Sequence, residues 1–348
     1  MNPYVLTILV SSLGIGTTLT FASSHWLLAW MGLEINTLAI IPLMAQQHHP
    51  RAVEAATKYF LTQATAAAMI LFASTTNAWT TGQWDILQTS SPLPTITVTL
   101  ALALKIGLAP THFWLPEVLQ GLDLTTGLIL STWQKLAPFA LICQIAPSTN
   151  PTLLTTLGIT SALIGGWGGL NQTQLRKILA YSSIAHLGWM IIILHFMPSL
   201  TMLNLTAYII MTSAMFLAAK AMTATKINTL ATAWTKAPAL AALTMLSLLS
   251  LGGLPPLTGF MPKWLILQEL TKQDLPLAAT VMAMSALLSL FFYLRLCYTM
   301  ILTASPNTNN MASPWRFKSS QTTLPTATMI TASLALLPAT PAILAMMT

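Results

Sequence analysis

The sequence predicts an all-α polytopic membrane protein of about eleven transmembrane helices, and three observations carry that prediction. Of the 348 residues, 55% are hydrophobic and only 6% are charged. A soluble globule has about a quarter charged, so these charges are too few to cover a water-facing surface. The mean hydropathy is +0.71, and the apolar runs are continuous over about 18–25 residues, enough to cross a hydrocarbon core of about 30 Å. A β-barrel would show short alternating segments instead. Finally, two of the runs are interrupted alike. Gly107-Leu108-Ala109-Pro110 followed by Pro116-Glu117 matches Gly253-Leu254-Pro255-Pro256 followed by Pro262-Lys263, 146 residues further on (107 to 253). Paired Gly/Pro interruptions mark transporter folds built from repeats, with the site at the breaks.

Taken in order, the first span, 3–21, opens on Pro3 without a basic leader or a small-residue cleavage site, and is expected to be retained rather than removed as a signal peptide. Span 26–44 carries Glu34 near its middle, and 57–78 follows. The first broken helix is 95–120, and 125–146 carries Lys135. In 151–170, Gly165-Gly166 and Gly168-Gly169 set small residues at helical spacing, which suits close backbone packing better than a ligand loop. Then come 175–196, 199–221, the second broken helix 239–270, 277–302 and a closing helix 323–346. The broken helices are the fourth and ninth spans, an odd number of crossings apart, so equivalent segments run in opposite directions. Residues 3–146 and 151–302 are thus expected to form two inverted five-helix repeats within a single transmembrane domain.

The net charge of +7 reflects topology. Arg51, Lys58, Arg176, Lys177, Lys220, Lys226, Lys236, Arg316 and Lys318 fall on the N-terminal side or at helix ends facing it, while only Lys272 falls opposite. Positive loops stay where the chain is made. No basic cluster interleaved with aromatics points to a nucleic acid. Cys143 and Cys297 lie in apolar runs without metal-ligand spacing. No nucleotide-binding loop is present. Trp26, Trp79, Trp84, Trp234 and Trp315 fall toward span ends, as an aromatic belt does.

Removing the loop charges leaves Glu34, Lys105, Lys135 and Lys263 inside spans, with Arg295 nearer a helix end, where it is expected to snorkel. The midplane is about 15 Å from either surface, farther than a lysine stem reaches. Charges at that depth face the bundle interior and mark ion paths or proton relays. Lysine suits a relay because burial disfavours its charged form and a nearby carboxylate favours it. Glu34 is the one carboxylate in a span interior, the natural counter-charge for Lys105 or Lys135. His112, in the first break, and His186, mid-span, can donate and accept within a water-linked chain. His25, His48, His49 and His195 sit at span ends. Glu117 and Asp123 are expected to be solvated.

Glu34 at mid-span, Lys105 two residues before Gly107-Leu108-Ala109-Pro110, the run Thr111 to Glu117, the Met-Asn-Pro start and the second motif Gly252 to Pro256 with Pro262-Lys263 resemble the antiporter-like subunits of respiratory NADH:quinone oxidoreductase (complex I), in their short vertebrate mitochondrial form. The resemblance spans essentially the whole chain. It implies two inverted repeats related to Mrp-type cation/proton antiporters. It implies Glu34 with Lys105 as a coupling pair, Lys135 as the central relay and Lys263 as the second-half relay. It also implies residence in the mitochondrial inner membrane with the N-terminus in the matrix, and partners among neighbouring antiporter-like and small membrane-arm subunits. A neighbouring subunit or phospholipid is expected where the animal form lacks three leading helices. NADH, FMN, iron–sulfur clusters and ubiquinone are expected in other subunits, with no cofactor and no bond chemistry in this chain. The alternatives are a self-standing Mrp-type antiporter subunit and a scaffold whose buried charges only lock helices together.

A cysteine introduced beside Arg176 is expected to react with an impermeant thiol reagent only from the side on which the N-terminus lies. Labelling from the opposite side would overturn the topology.

Overall fold

The computed structural model describes residues 2–46, 48–89, 91–235, 237–302 and 323–347; Lys236, Trp315, Arg316 and Lys318 lie outside them. The described chain is helical: α1 (Pro3–Ala22), α2 (Trp26–Met44), α3 (Pro50–Thr81), α4 (Pro92–Ile106), α5 (Trp114–Gly121), α6 (Leu124–Ser131), α7 (Trp133–Ile145), α8 (Pro151–Gly168), α9 (Leu175–Ile193), α10 (Pro198–Ala221), α11 (Ile227–Ala231), α12 (Pro238–Gly252), α13 (Phe260–Lys272), α14 (Pro276–Leu302), α15 (Leu324–Ala335) and α16 (Thr340–Met347). Seven of these begin on proline, whose missing N–H costs nothing in a first turn. Side chains complete several starts. Asn2 accepts from the Tyr4 N–H, and His25 and His49, placed at span ends by the sequence, accept through Nδ1 from the N–H groups of Leu27 and Arg51, each at 3.2 Å.

The outer surface is apolar. On α14, Met284, Leu287, Phe291 and Tyr298 are all more than half exposed, while Met282, Phe292, Tyr293, Leu296 and Met300 are buried. A helix that is apolar all round belongs in lipid or in a large core. By length and composition, α1, α2, α6 with α7 as one span (Leu124–Ser148), α10 and α14 can each cross a membrane, and the pair α15 and α16 makes a sixth. Helices α4 and α12 are shorter apolar helices that end at the two breaks.

The chain forms two compact units, Met1–Leu157 and Gly158–Thr348. In the first, α1 and α2 are in backbone contact: a Cβ added to Gly16 would lie 2.9 Å from the Gly32 carbonyl oxygen, and the reverse distance is also 2.9 Å. In the second, Gly165 lies so close to α9 that a Cβ would meet the Ala185 nitrogen at 2.5 Å, while Gly168 and Gly169 receive the rings of Tyr181 and Phe292. The glycine cluster is a packing device, as its spacing indicates.

Both predicted interruptions are present, over residues 107–113 and 253–259, and they are built alike. Gly107 (φ +87°, ψ +41°) and Gly253 (φ +83°, ψ +42°) cap α4 and α12 in the left-handed region, where glycine has no Cβ penalty. The N–H of Leu108 reaches back five residues to Ala103, and that of Leu254 to Leu249, the Schellman pattern. Pro116 and Pro262 do not belong to the breaks: each is the third residue of the following helix, α5 or α13, where no helical donor is required.

Other expectations need correction. Trp26 is fully buried and takes no part in a belt, whereas Trp79 is 91% exposed. Arg295 does not snorkel: its guanidinium donates to the carbonyls of Leu170 and Gln172 just beyond α8. The closing helix is not straight but bends by 67° between α15 and α16, because Pro338 and Pro341 cannot continue the α-helical ladder. Between α6 and α7 the backbone kinks at Thr132 (φ −112°, ψ −68°).

Gly107→Ala is expected to lower thermal stability by about 1–3 kcal/mol through backbone strain, more if Leu115, 2.8 Å from the new methyl, does not yield. Gly14→Ala, with nothing within 4 Å, is the control. Equal melting temperatures for the two variants would contradict the left-handed cap.

Candidate functional site

In the first unit the breaks and kinks gather the buried charges. Lys105 lies on the last turn of α4, two residues before the Gly107 cap, and is buried. Lys135 lies on the first turn of α7, just past the kink at Thr132, and is also buried. Pro138, one turn further on, supplies no N–H to the carbonyl of Gln134, which loosens the helix there. Both lysines line one cavity with Asn36, Thr37, Gln63 and Gln134. It offers about 20 Å³ to the centre of a water molecule, against the roughly 10–15 Å³ that one water needs. Leu33, Ile106 and Leu130 complete its wall.

Glu34, at the middle of α2, acts electrostatically on Lys105. The two are not in hydrogen-bond contact: Glu34 Oε2 and Lys105 Nζ are each buried without a hydrogen-bond partner. Asn36, two residues on, has both amide atoms buried and unpartnered, while its carbonyl accepts from Gln134 Nε2 at 3.3 Å. Gln63 Nε2 donates to the Lys105 carbonyl at 3.4 Å. Glu34 and Lys105 thus do not form a closed ion pair. His112 is buried in the first break, with Nδ1 3.3 Å from the Pro110 carbonyl and its ring against Phe113. It is not among the residues lining the cavity.

In the second unit Lys263, on the first turn of α13, reaches back across its break. Its Nζ donates to the carbonyls of Gly252 (2.9 Å) and Leu251 (3.4 Å), the last of α12. In the first break Trp114 Nε1 does the equivalent for Leu104 (3.0 Å). Lys105, on the last turn of α4, and the Nζ of Lys263, at the end of α12, therefore each lie by the C-terminal end of a half-helix, where the helix dipole favours a cation. His186 is buried in α9, its ring centroid 5.7 Å from that of Tyr208 on α10.

Glu117 is no part of this. Its carboxylate meets Lys58 at 2.8 Å, and Lys58 also meets Glu54 at 2.7 Å, in a surface triad whose side chains are 41–61% exposed. The hydrogen bond and charge of Lys58 hold the Glu54 carboxyl below its usual range. Among the described residues no group of three or more His, Cys, Asp and Glu is arranged to hold a metal ion.

Residues 23–289 match the family model described as NADH:quinone oxidoreductase/Mrp antiporter, transmembrane, and residues 290–344 match NADH dehydrogenase subunit 2 C-terminus. The chain belongs to this family. NADH-ubiquinone oxidoreductase chain 2 of Oncorhynchus mykiss is 73% identical over 347 residues, covering 100% of this chain and 99% of its own, and that of Scyliorhinus canicula is 66% identical with both chains fully covered. Among solved structures, a chain of respiratory complex I from Thermus thermophilus with bound aureothin superposes with a TM-score of 0.82 at 26% identity, covering 100% of this chain and 78% of that one. A chain of the Mrp complex from a Dietzia species also gives 0.82, at 18% identity over 97% of this chain and 76% of that one, a likeness of fold.

Sequence reading did not single out Asn36, Gln63, Gln134, Tyr59, Ser182, Ser183, Tyr208 and Tyr293. The amides carried a signal, since Asn36 follows Glu34 by two residues and Gln134 adjoins Lys135. The tyrosines carried none, because a tyrosine in an apolar run reads as packing.

Exposed ion pairs contribute about 0–1 kcal/mol, so Glu117→Gln is expected to leave stability and proton uptake unchanged. A fall in proton uptake by the assembled protein would make Glu117 part of the path.

Proposed function

We propose that this chain is a membrane-arm subunit of respiratory NADH:ubiquinone oxidoreductase, in the mitochondrial inner membrane, and that it carries protons while electron transfer runs in other subunits. In this reading Glu34 and Lys105 are the coupling pair, and Lys135 continues the relay through the shared cavity. Lys263 serves the second unit, with His112 and His186 as auxiliary groups. The observation that carries it is the water-sized cavity lined by both Lys105 and Lys135, with Glu34 acting on Lys105 from outside hydrogen-bond range. End-to-end identity of 66–73% to chains named NADH-ubiquinone oxidoreductase chain 2 favours this over a self-standing antiporter.

Eleven crossings, two inverted repeats at 3–146 and 151–302 with a closing helix, and a matrix-side N-terminus complete the proposal. The matched caps at Gly107 and Gly253 support the repeats. The orientation is supported by the meeting of the start of α9 with the segment after α10, which brings Arg176, Lys177, Lys220 and Lys226 to one end of the second unit through bonds such as Leu175 N–H to the Thr225 carbonyl. A neighbouring subunit or phospholipid covers α1, where Tyr4 is 77% and Ile8 65% exposed.

A protonated Lys105 is held by the Glu34 charge. When that charge moves away or is neutralised, burial favours the neutral amine, and the proton passes through cavity water to Lys135. Glu34→Gln keeps size and hydrogen bonding and deletes the attraction. If that costs the ammonium about 1.4 kcal/mol, loading falls about tenfold at a given pH.

In the assembled complex, Glu34→Gln and Lys135→Met are expected to depress proton uptake and quinone-dependent NADH oxidation together, with assembly kept. Normal pumping per assembled complex in both variants would sink the relay. Assembly lost in Glu34→Gln and restored by adding Lys105→Met would instead identify a static ion pair.

A further inference from the structure

The second unit holds a polar cluster that the relay residues named above do not account for. Helix α9 presents Ser182, Ser183 and His186 within one turn. Against them α10 sets Tyr208 and α14 sets Tyr293, and all five are buried, none more than 4% exposed. Tyr208 is hydrogen-bonded to Ser183, and its ring lies 5.7 Å from that of His186. Tyr293 interacts in the same way with Ser182, and its phenol acts electrostatically on Tyr208. The Tyr293 ring packs on Gly252, where an added Cβ would find Tyr293 Cδ2 at 3.7 Å. Gly252 is also the residue whose carbonyl receives Lys263 Nζ at 2.9 Å.

The cluster therefore reaches from His186, beside the Tyr208 ring, to Tyr293, whose ring borders the residue that accepts from Lys263. Phenylalanine would fill the same space without burying a hydroxyl that has to be hydrogen-bonded. Packing explains the rings and leaves the oxygens unexplained.

We propose that Tyr208 and Tyr293 are the hydroxyl link that passes protons between Lys263 and His186, with Ser183 orienting Tyr208. This deepens the proposed function and rests on it. Each phenol takes a proton on its oxygen as it releases its own to the next acceptor, so it ends the transfer neutral and unchanged. The net step converts a lysine ammonium and a neutral imidazole into a lysine amine and an imidazolium. No electron moves, and the charge is conserved. Water occupies whatever gaps the hydroxyls do not span.

The test uses the whole NADH-oxidising assembly carrying Tyr208→Phe, Tyr293→Phe or both, reconstituted in vesicles. Assembled complex, quinone-dependent NADH oxidation and protons moved per NADH are measured in the same preparation, with Lys135→Met as reference. The expected result is full assembly with proton transfer at least fivefold slower in either single variant, and no further loss in the double variant, because both residues serve one path. A kinetic solvent isotope effect should rise in the single variants, which a packing role would not move. If Lys135→Met impairs pumping and the tyrosine variants do not, the hydroxyl link is wrong and the relay stands. If Lys135→Met pumps normally, the relay reading itself fails. Should Tyr208→Phe fail to assemble, Ser183→Ala removes its hydrogen-bond partner and must slow pumping; normal pumping in that variant overturns the proposal.

Discussion

Everything in this molecule answers to the difficulty of keeping an ammonium in a low-dielectric interior. Among the described residues three lysines are buried there, and each is accommodated differently. Lys263 is held directly by two backbone carbonyls left free by a helix end. Lys105 has no hydrogen-bond partner and relies on the charge of Glu34 at a distance and on the dipole of the half-helix it terminates. Lys135 shares a cavity with Lys105 and a set of amides. The Gly/Pro breaks are the means to this end, since an unbroken helix has no free carbonyl to offer at mid-membrane depth.

The same constraint explains why the helices pack as tightly as they do. A water-sized polar cavity survives in lipid only if its walls exclude the surrounding chains, and small residues let backbones close on one another. Gly16 against Gly32 seals α1 onto α2, directly behind Asn36. In the second unit Gly165 brings α8 onto the backbone of α9, the helix that carries His186 and the two serines. Close packing and buried polarity are two sides of one design.

The features that could be read from sequence are those whose cause is local. Glycine and proline dictate a helix end wherever they stand, so both breaks were legible to within a few residues, although the later prolines turned out to begin the next helices. Rarity made Glu34, Lys105, Lys135 and Lys263 stand out, because a charge in an apolar run has few bland explanations. What depends on a second helix was not legible. Trp26 looks like an interfacial residue until its neighbours bury it, and Arg295 looks like a helix-end cation until the turn after α8 offers two carbonyls. The bend after Ala335 had a local cause in Pro338 and Pro341, but its burial against α10 is a matter of tertiary packing.

That C-terminal segment bears on the order in which the molecule is finished. Thr258, inside the second break, donates its hydroxyl proton to the carbonyl of Ser333 at 2.5 Å, and both residues are buried. The partners are 75 residues apart in the chain, so during synthesis α12 and α13 enter the membrane well before the group that satisfies Thr258 exists. Helices made later thus complete a place that was laid down much earlier, and the ribosome's clock enters the architecture of the second break.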